Sequence, residues 1–161
     1  MPAQALFGVS VVFSFVAWGI VAAQYVWPLL SGRSQVDALR PLLILHSFRF
    51  VGLAFLVQGV VAPELPAAFA SPAAYGDLIA AVLALLALAS LRNRIGVPLV
   101  WVFNLWGTAD LLYAFYAGNS AGLEAGQLGA GYFIVTVMVP LLLITHGLVF
   151  RLLLRDSPGG S

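Results

Sequence analysis

Long apolar runs alternate with short polar segments along almost the whole chain. Each run is close to, or longer than, the roughly 20 residues that an α-helix needs to cross the hydrocarbon core of a membrane. The segments between the runs contain charged and turn-forming residues and are short. The pattern predicts five transmembrane helices, at about 5–30, 41–62, 75–91, 97–118 and 132–155.

The arrangement of the runs also predicts the fold class. We expect an all-α polytopic membrane protein with a single helical bundle over residues 1–156 and a disordered tail at 157–161. Small residues in the middle runs favour close approach between helices in lipid. The first run has few polar residues, so its helix is predicted at the periphery, or at a contact with another subunit in a homo-oligomer or with a partner.

The composition agrees with a membrane protein and excludes several function classes. Hydrophobic residues make up 62% of the 161 residues and charged residues 8%, against roughly 25% charged residues in soluble domains. The absence of cysteine and lysine excludes disulfides, thiolate metal sites and enzymes that use a lysine Schiff base. The net charge of +1 gives no sign of nucleic-acid binding. The expected partners are therefore the lipid bilayer and a small-molecule ligand.

The arginines predict the orientation of the bundle. Cytoplasmic loops of membrane proteins are enriched in Arg and Lys. Six of the seven arginines lie in the first loop, the third loop and the C-terminal end, whereas the second and fourth loops carry Glu64 and Glu124. We therefore expect the N-terminus outside and the C-terminus inside, as in a multi-pass protein of a bacterial-type inner membrane. The exception is Arg49, which lies within the second run.

Four polar residues within the runs are predicted at similar depths on the cytoplasmic side. At 1.5 Å per residue, His46 and His146 each lie roughly 8 Å from the cytoplasmic ends of their helices. Asn104 lies at roughly 10 Å and Arg49 at roughly 12 Å. An ionisable residue within a membrane span is costly, so it indicates a functional site and requires a partner.

Two carboxylates are predicted in a second layer, nearer the outer face. Asp110 lies roughly 20 Å, and Asp77 roughly 21 Å, from the cytoplasmic ends of their runs. Either carboxylate is a candidate counter-charge for Arg49. For Asp77 the alternative is an N-cap, because it comes just before an apolar run. Asn104, Gly107 and Asp110 are spaced i, i+3, i+6, which places them along one ridge of their helix.

Two interpretations of the histidine pair are open. The imidazoles are either hydrogen-bonded separately as neutral groups, or they are joint axial ligands of a b-type haem iron, which takes imidazole ligands. The candidate ligand- or cofactor-binding set is His46, Arg49, Asp77, Asn104, Asp110 and His146, with His46 and His146 as the candidate metal ligands.

The sequence leaves several functions open and assigns no catalytic residue. HExxH, GxSxG and Walker motifs are absent, so protease, esterase and nucleotide-binding functions have no support. One expectation is a membrane protein that binds a small ligand or cofactor in a polar intramembrane pocket, in its most specific form a bis-histidine haem b redox protein. The alternatives are a small proton-coupled carrier or channel, and an accessory or assembly subunit whose polar cluster is structural.

Overall fold

All regular secondary structure in the described part of the chain is helical. The computed structural model describes residues 1–155 and contains six α-helices there. They are α1 (Ala3–Val21), α2 (Trp27–Ser31), α3 (Gln35–Ser47), α4 (Ala67–Ser90), α5 (Gly96–Ser120) and α6 (Val139–Leu153). The all-α fold class is confirmed, and the predicted tail at 157–161 lies outside the described residues.

Turns of π-helix and 3₁₀ helix join or extend several of these helices. A π-helical turn (Ala22–Val26) connects α1 to α2, and a 3₁₀ helix (Phe48–Leu56) continues α3. A second π-helical turn (Ile134–Met138) leads into α6, after a 3₁₀ helix (Ala125–Gly131) in the preceding loop. Both α1 and α2 are therefore parts of one continuous helix, so the number of continuous helices is smaller than the number of α-helical segments.

Four continuous helices are long and apolar enough to cross a membrane, as in a multi-pass membrane protein. They are Ala3–Ser31, Gln35–Leu56, Ala67–Ser90 and Ile134–Leu153. The remaining predicted span, 97–118, lies within α5, which has 25 residues and therefore the necessary length. It is not among the four, since Asn104, Thr108 and Asp110 interrupt its apolar sequence.

Three helix boundaries differ clearly from the predicted ones. The second helix begins at Gln35 instead of 41, because the Ser34 hydroxyl caps it by accepting from the Asp37 amide. The second helix ends at Leu56 instead of 62, because the chain turns at Gly59, whose φ of 84° lies in the left-handed region that glycine adopts without strain. The third helix begins at Ala67 instead of 75. Its first turns contain Pro72, but they are otherwise rich in alanine, the best helix former, which outweighs the one proline.

Two apolar clusters lie at opposite ends of the bundle, with the polar residues between them. The cluster at the arginine-rich end joins α3 to α6 through residues such as Leu39, Phe103 and Val149. The other cluster includes Phe55 and Leu128. Four small residues on α4 are fully buried in the bundle: Ala74, Ala80, Ala84 and Ala87.

The first helix lies at the periphery of the bundle, as predicted. No residue of α1 is buried. Its polar contacts are made with the last helix and the loop before it. The Trp18 Nε1 donates to the Val137 carbonyl at 3.1 Å, the Ser10 hydroxyl lies 2.8 Å from that of Tyr132, and the Gln4 Oε1 accepts from the Ala125 N–H at 3.3 Å. The buried polar residues therefore come from the other helices.

Candidate ligand-binding site

Arg49 is the centre of the polar cluster and is almost completely buried. Its Nε donates to Asp77 Oδ1 and its Nη2 to Asp110 Oδ2, both at 2.7 Å. Its Nη1 donates to the Gly107 carbonyl at 3.2 Å and to His146 Nε2 at 3.1 Å. The two carboxylates, which the sequence presents as competing counter-charges, therefore both bind Arg49. Asp77 is not an N-cap, because α4 begins ten residues before it.

The 3₁₀ conformation of Phe48–Leu56 places three buried residues in one line. With about 3.0 residues per turn, positions i, i+3 and i+6 of a 3₁₀ helix are eclipsed. The buried residues of this segment are Arg49, Gly52 and Phe55, which have that spacing. In an α-helix they would drift around the axis by about 60° at each step. The 3₁₀ winding thus presents all three to the interior.

Three glycines make room for the charged side chains. A Cβ on Gly107 would overlap the His146 ring and the Arg49 guanidinium. A Cβ on Gly52 would overlap the Asp77 carboxylate, and one on Gly76 would overlap the Asp110 carboxylate. Each charged group therefore packs directly against the backbone of a neighbouring helix, which holds it in position.

The hydrogen bonds of His146 assign a neutral imidazole. Its Nδ1 lies 2.6 Å from Asn104 Oδ1, while the Asn104 amide nitrogen donates to the His146 carbonyl at 3.3 Å. An amide oxygen only accepts and a guanidinium only donates. The proton is therefore on Nδ1, and Nε2 accepts from Arg49. Both ring nitrogens are occupied.

His46 is hydrogen-bonded through one nitrogen only. Its Nε2 lies 3.0 Å from the Thr145 hydroxyl, which also lies 2.9 and 3.0 Å from the carbonyls of Leu141 and Leu142. Because carbonyls only accept, the hydroxyl donates its one proton to them and accepts from His46 Nε2. The Nδ1 atom of His46 is then an acceptor, and it is the one buried side-chain polar atom without a partner within residues 1–155.

The geometry of the two imidazoles does not fit a haem held between them. Their ring centroids are 4.2 Å apart, so the rings pack directly against each other, as their equal predicted depth implies. A haem iron with two axial histidines lies between the rings, and here there is no space between them. Both nitrogens of His146 are also engaged. Within the described residues, no group of three or more His, Cys, Asp or Glu side chains is arranged to hold a metal ion.

A cavity of about 790 Å³ lies on the other side of Arg49, away from the histidines. Asp77 and Asp110 form its polar floor. Its walls are mainly apolar and include four phenylalanines from different parts of the chain: Phe7, Phe55, Phe69 and Phe115. Residues of the loop between α5 and α6, among them Glu124, line its mouth. A volume of this size is typical of pockets that bind small molecules.

Comparison with protein families places the whole bundle in one family. The model described as "Domain of unknown function (DUF8737)" matches residues 6–154. The chain belongs to this family. The matched range includes every residue of the Arg49 cluster and all four phenylalanines of the cavity wall. No curated protein and no solved structure matches the chain.

The structure brings all six predicted site residues of this family member into one connected cluster. Arg49 contacts both carboxylates and His146, which contacts Asn104 and packs against His46. Sequence reasoning missed Thr145 as the partner of His46, and it missed the cavity. The i, i+3, i+6 spacing of Arg49, Gly52 and Phe55 was the available signal for the side of the helix that faces this cavity.

Proposed function

We propose that this protein is a multi-pass membrane protein that binds a small, mainly apolar ligand in the cavity above Asp77 and Asp110. The observation that supports this most directly is the cavity itself, with its volume of about 790 Å³, aromatic walls and two carboxylates at one end. Ligand pockets are commonly apolar concavities with a few fixed polar groups that orient the bound molecule. The hydrogen bonds of Arg49 hold the two carboxylates in fixed positions.

The distribution of side chains on α5 supports a fifth crossing of the membrane. Its polar Asn104 is fully buried, whereas Val102, Leu105 and Leu112 are exposed. A helix with this pattern presents apolar side chains to lipid and polar ones to the bundle interior. We therefore include α5 among five transmembrane helices, with the N-terminus outside and the arginine-rich end in the cytoplasm of a bacterial-type cell.

In this orientation the cavity opens toward the outer face. Its lining comes from the start of α1, the first half of α4, the end of α5 and the loop after it. These segments lie at the end of the bundle that carries Glu64 and Glu124, opposite the end with the six exposed arginines. A ligand would enter from the outer aqueous phase or from the outer leaflet.

The position of Arg49 favours ligand binding over proton transport. A proton relay through the bundle would have to connect the two carboxylates with the two histidines. The guanidinium of Arg49 lies between them, bonded to Asp77, Asp110 and His146. Arginine donates hydrogen bonds and does not give up its proton in proteins, so it interrupts such a relay.

Filling the cavity tests the proposed function. Ala114 lines the cavity, and Ala109 is exposed on the same helix outside it. We expect a neutral apolar probe, 1-adamantanol, to bind the protein in nanodiscs, and we expect Ala114→Trp to weaken this binding by about tenfold or more, which is a change of about 1.4 kcal/mol. Binding is measured by ligand-observed NMR against empty nanodiscs of the same lipid.

Ala109→Trp is the matched control, because it adds the same side chain to the lipid-facing side of α5. It should bind the probe as the native protein does. Equal binding by Ala114→Trp and the native protein, or no binding beyond that of empty nanodiscs, would contradict the proposed function.

A further inference from the structure

We infer that the ligand of this cavity is an organic cation, with one positive charge on an apolar body, and that its charge binds the free carboxylate oxygens of Asp77 and Asp110. This inference rests on the proposed function and specifies the class of ligand. It is carried by the charge of the cavity floor, the accessibility of two oxygen atoms and the composition of the walls.

The charged groups at the floor do not balance. Two carboxylates bind a single guanidinium, so Asp77, Asp110 and Arg49 together carry a net charge of −1 when both carboxylates are ionised. His146, the other ionisable partner of Arg49, is neutral in the tautomer that its hydrogen bonds assign. The cavity lining includes a third acidic residue, Glu124, and no basic one within residues 1–155. The cavity therefore has a negative potential that a cation would neutralise.

Each carboxylate keeps one oxygen available to the cavity. Asp77 uses Oδ1, and Asp110 uses Oδ2, to bind Arg49. Their other oxygens, Asp77 Oδ2 and Asp110 Oδ1, have no hydrogen-bond partner, yet neither is a fully buried atom. Both side chains are about nine-tenths buried, with 10% and 9% of their surface exposed, and both residues line the cavity. Each free oxygen packs on one side against a glycine, Asp77 Oδ2 against Gly52 and Asp110 Oδ1 against Gly76. Because both residues line the cavity, we infer that the remaining accessible surface of each oxygen lies there.

The walls are suited to a cation with an apolar body. Aromatic rings attract cations through the negative faces of their π systems, and they also contribute a large apolar contact area. The four phenylalanines of the wall surround the space above the floor. An anion would meet like charge at both ends of the cavity, at the floor and at Glu124.

An inorganic cation fits the cavity less well than an organic one. Calcium takes six to eight oxygen ligands, and magnesium requires near-octahedral coordination. The floor presents two free side-chain oxygens, and most of the remaining lining residues are apolar. An ammonium group needs few acceptors, and its apolar substituents would fill the rest of the space.

Three probes that share one body test the charge preference. These are 1-adamantylammonium, 1-adamantanol and 1-adamantanecarboxylate, measured with the native protein in nanodiscs of zwitterionic lipid and corrected for empty nanodiscs. We expect the ammonium ion to bind about tenfold more tightly than the alcohol, and the carboxylate to bind more weakly than both. Sodium chloride, added at the same ionic strength as the probe solution, should reduce binding of the ammonium ion by no more than general ionic screening does.

Variants locate the preference at the floor. In Asp110→Asn the ratio of ammonium to alcohol affinity should fall to about twofold or less, with binding of the alcohol kept as evidence that the cavity is intact. Asp37→Asn removes the same charge from an exposed position that does not line the cavity, and it should leave the ratio unchanged. If Asp110→Asn does not fold, the three-probe series on the native protein still decides the charge preference.

The outcomes separate this inference from the proposed function. Alcohol binding that is as tight as ammonium binding, or tighter carboxylate binding, would overturn the inference and leave the proposed function standing. An unchanged ratio in Asp110→Asn would overturn the assignment of the charge to the floor. Failure of all three probes to bind would contradict the proposed function itself.

Discussion

A buried guanidinium is stable only where its N–H groups have acceptors and its charge has a counter-charge. Arg49 meets both conditions, because four of its five N–H groups donate to acceptors on α4, α5 and α6. The single charge of Arg49 thereby connects four helices of the bundle. The same network orients His146, whose tautomer depends on Arg49 and Asn104, so the charged and neutral parts of the cluster are coupled.

A methyl group at Gly107 should disturb this network. The added Cβ of Gly107→Ala would overlap both the His146 ring and the Arg49 guanidinium, which are themselves fixed by hydrogen bonds. Overpacking of a well-packed interior costs about 1–3 kcal/mol. We therefore expect Gly107→Ala to lower the free energy of unfolding by about that amount, measured by denaturant-induced unfolding in detergent.

Gly147→Ala is the control for this prediction. Gly147 lies in α6, next to His146, and a Cβ there would meet no atom within 4 Å. Replacing a helical glycine by alanine without a clash stabilises a helix by roughly 0.5–1 kcal/mol. The two substitutions should thus have opposite signs, and a Gly107→Ala protein as stable as Gly147→Ala would show that the close packing around Arg49 is absent.

Among the elements, the 3₁₀ helix Phe48–Leu56 determines how the cluster and the cavity are related. It follows α3 without a break, and its buried residues continue the line that begins at His46, at intervals of three residues. The rise of a 3₁₀ helix is about 2.0 Å per residue, against 1.5 Å for an α-helix. This segment therefore reaches further along the bundle than an α-helix of the same length. Its Phe55 side chain lines the cavity whose floor Arg49 holds in place.

Site-directed labelling distinguishes this conformation from an α-helix. Counted from Arg49, the 3₁₀ period places Phe55 on the buried side, where it is 4% exposed, and Leu56 outside, where it is 41% exposed. An α-helical period would place Leu56, seven residues after Arg49, on the same side as Arg49. We expect a spin label at Phe55→Cys to be protected from oxygen in lipid bilayers and one at Leu56→Cys to be accessible.

The native chain contains no cysteine, so each label reports one position. Accessibility in the reverse order would indicate an α-helical segment and would separate Phe55 from the line of Arg49 and Gly52.

The meeting of the buried polar residues was easier to predict than the bounds of the elements that contain them. The rings of His46 and His146, which were expected at one level, are in contact, although the count for His46 was made from Pro41 and its helix begins at Gln35. The count for Asp77 was made from the far end of α4, so the misplaced start of that helix did not affect it, and Asp77 and Asp110 both contact Arg49. The 3₁₀ conformation of Phe48–Leu56 was missed because this run is apolar on nearly all sides. Its hydrophobic pattern therefore does not distinguish the period of a 3₁₀ helix from that of an α-helix. The cavity was missed for a similar reason, because an apolar sequence does not show whether Phe69 and Phe115 face lipid or a ligand-binding cavity.

At the scale of the whole molecule, charge is distributed unevenly along the bundle. The six exposed arginines lie at one end of the bundle, in the loop before α3 and its second turn, in the turn between α4 and α5, and at the end of α6. The loops at the other end carry Glu64 and Glu124, and Glu124 is one of the residues that line the cavity. The positive end fits the cytoplasmic side of a membrane, and the negative end fits a mouth that admits cations from outside. One asymmetry thus supports both the orientation and the class of ligand.

Reporter fusions test this orientation, and with it the crossing made by α5. Fusions after Arg40, Arg94 and Arg155 should read cytoplasmic, and fusions near Glu64 and Glu124 should read external. The pair at Arg94 and Glu124 is the decisive one, because α5 alone lies between them and is the long helix whose polar residues lower its hydropathy.

If both positions report the same side, α5 does not cross. If the C-terminal fusion reads external, the arginine-rich end faces outward, and the cavity would then open to the cytoplasm. Opposite sides at Arg94 and Glu124, with the C-terminus inside, would support five crossings and an outward-facing mouth. Each crossing helix places the next loop on the other side of the membrane, so these results also determine the sides of the remaining loops.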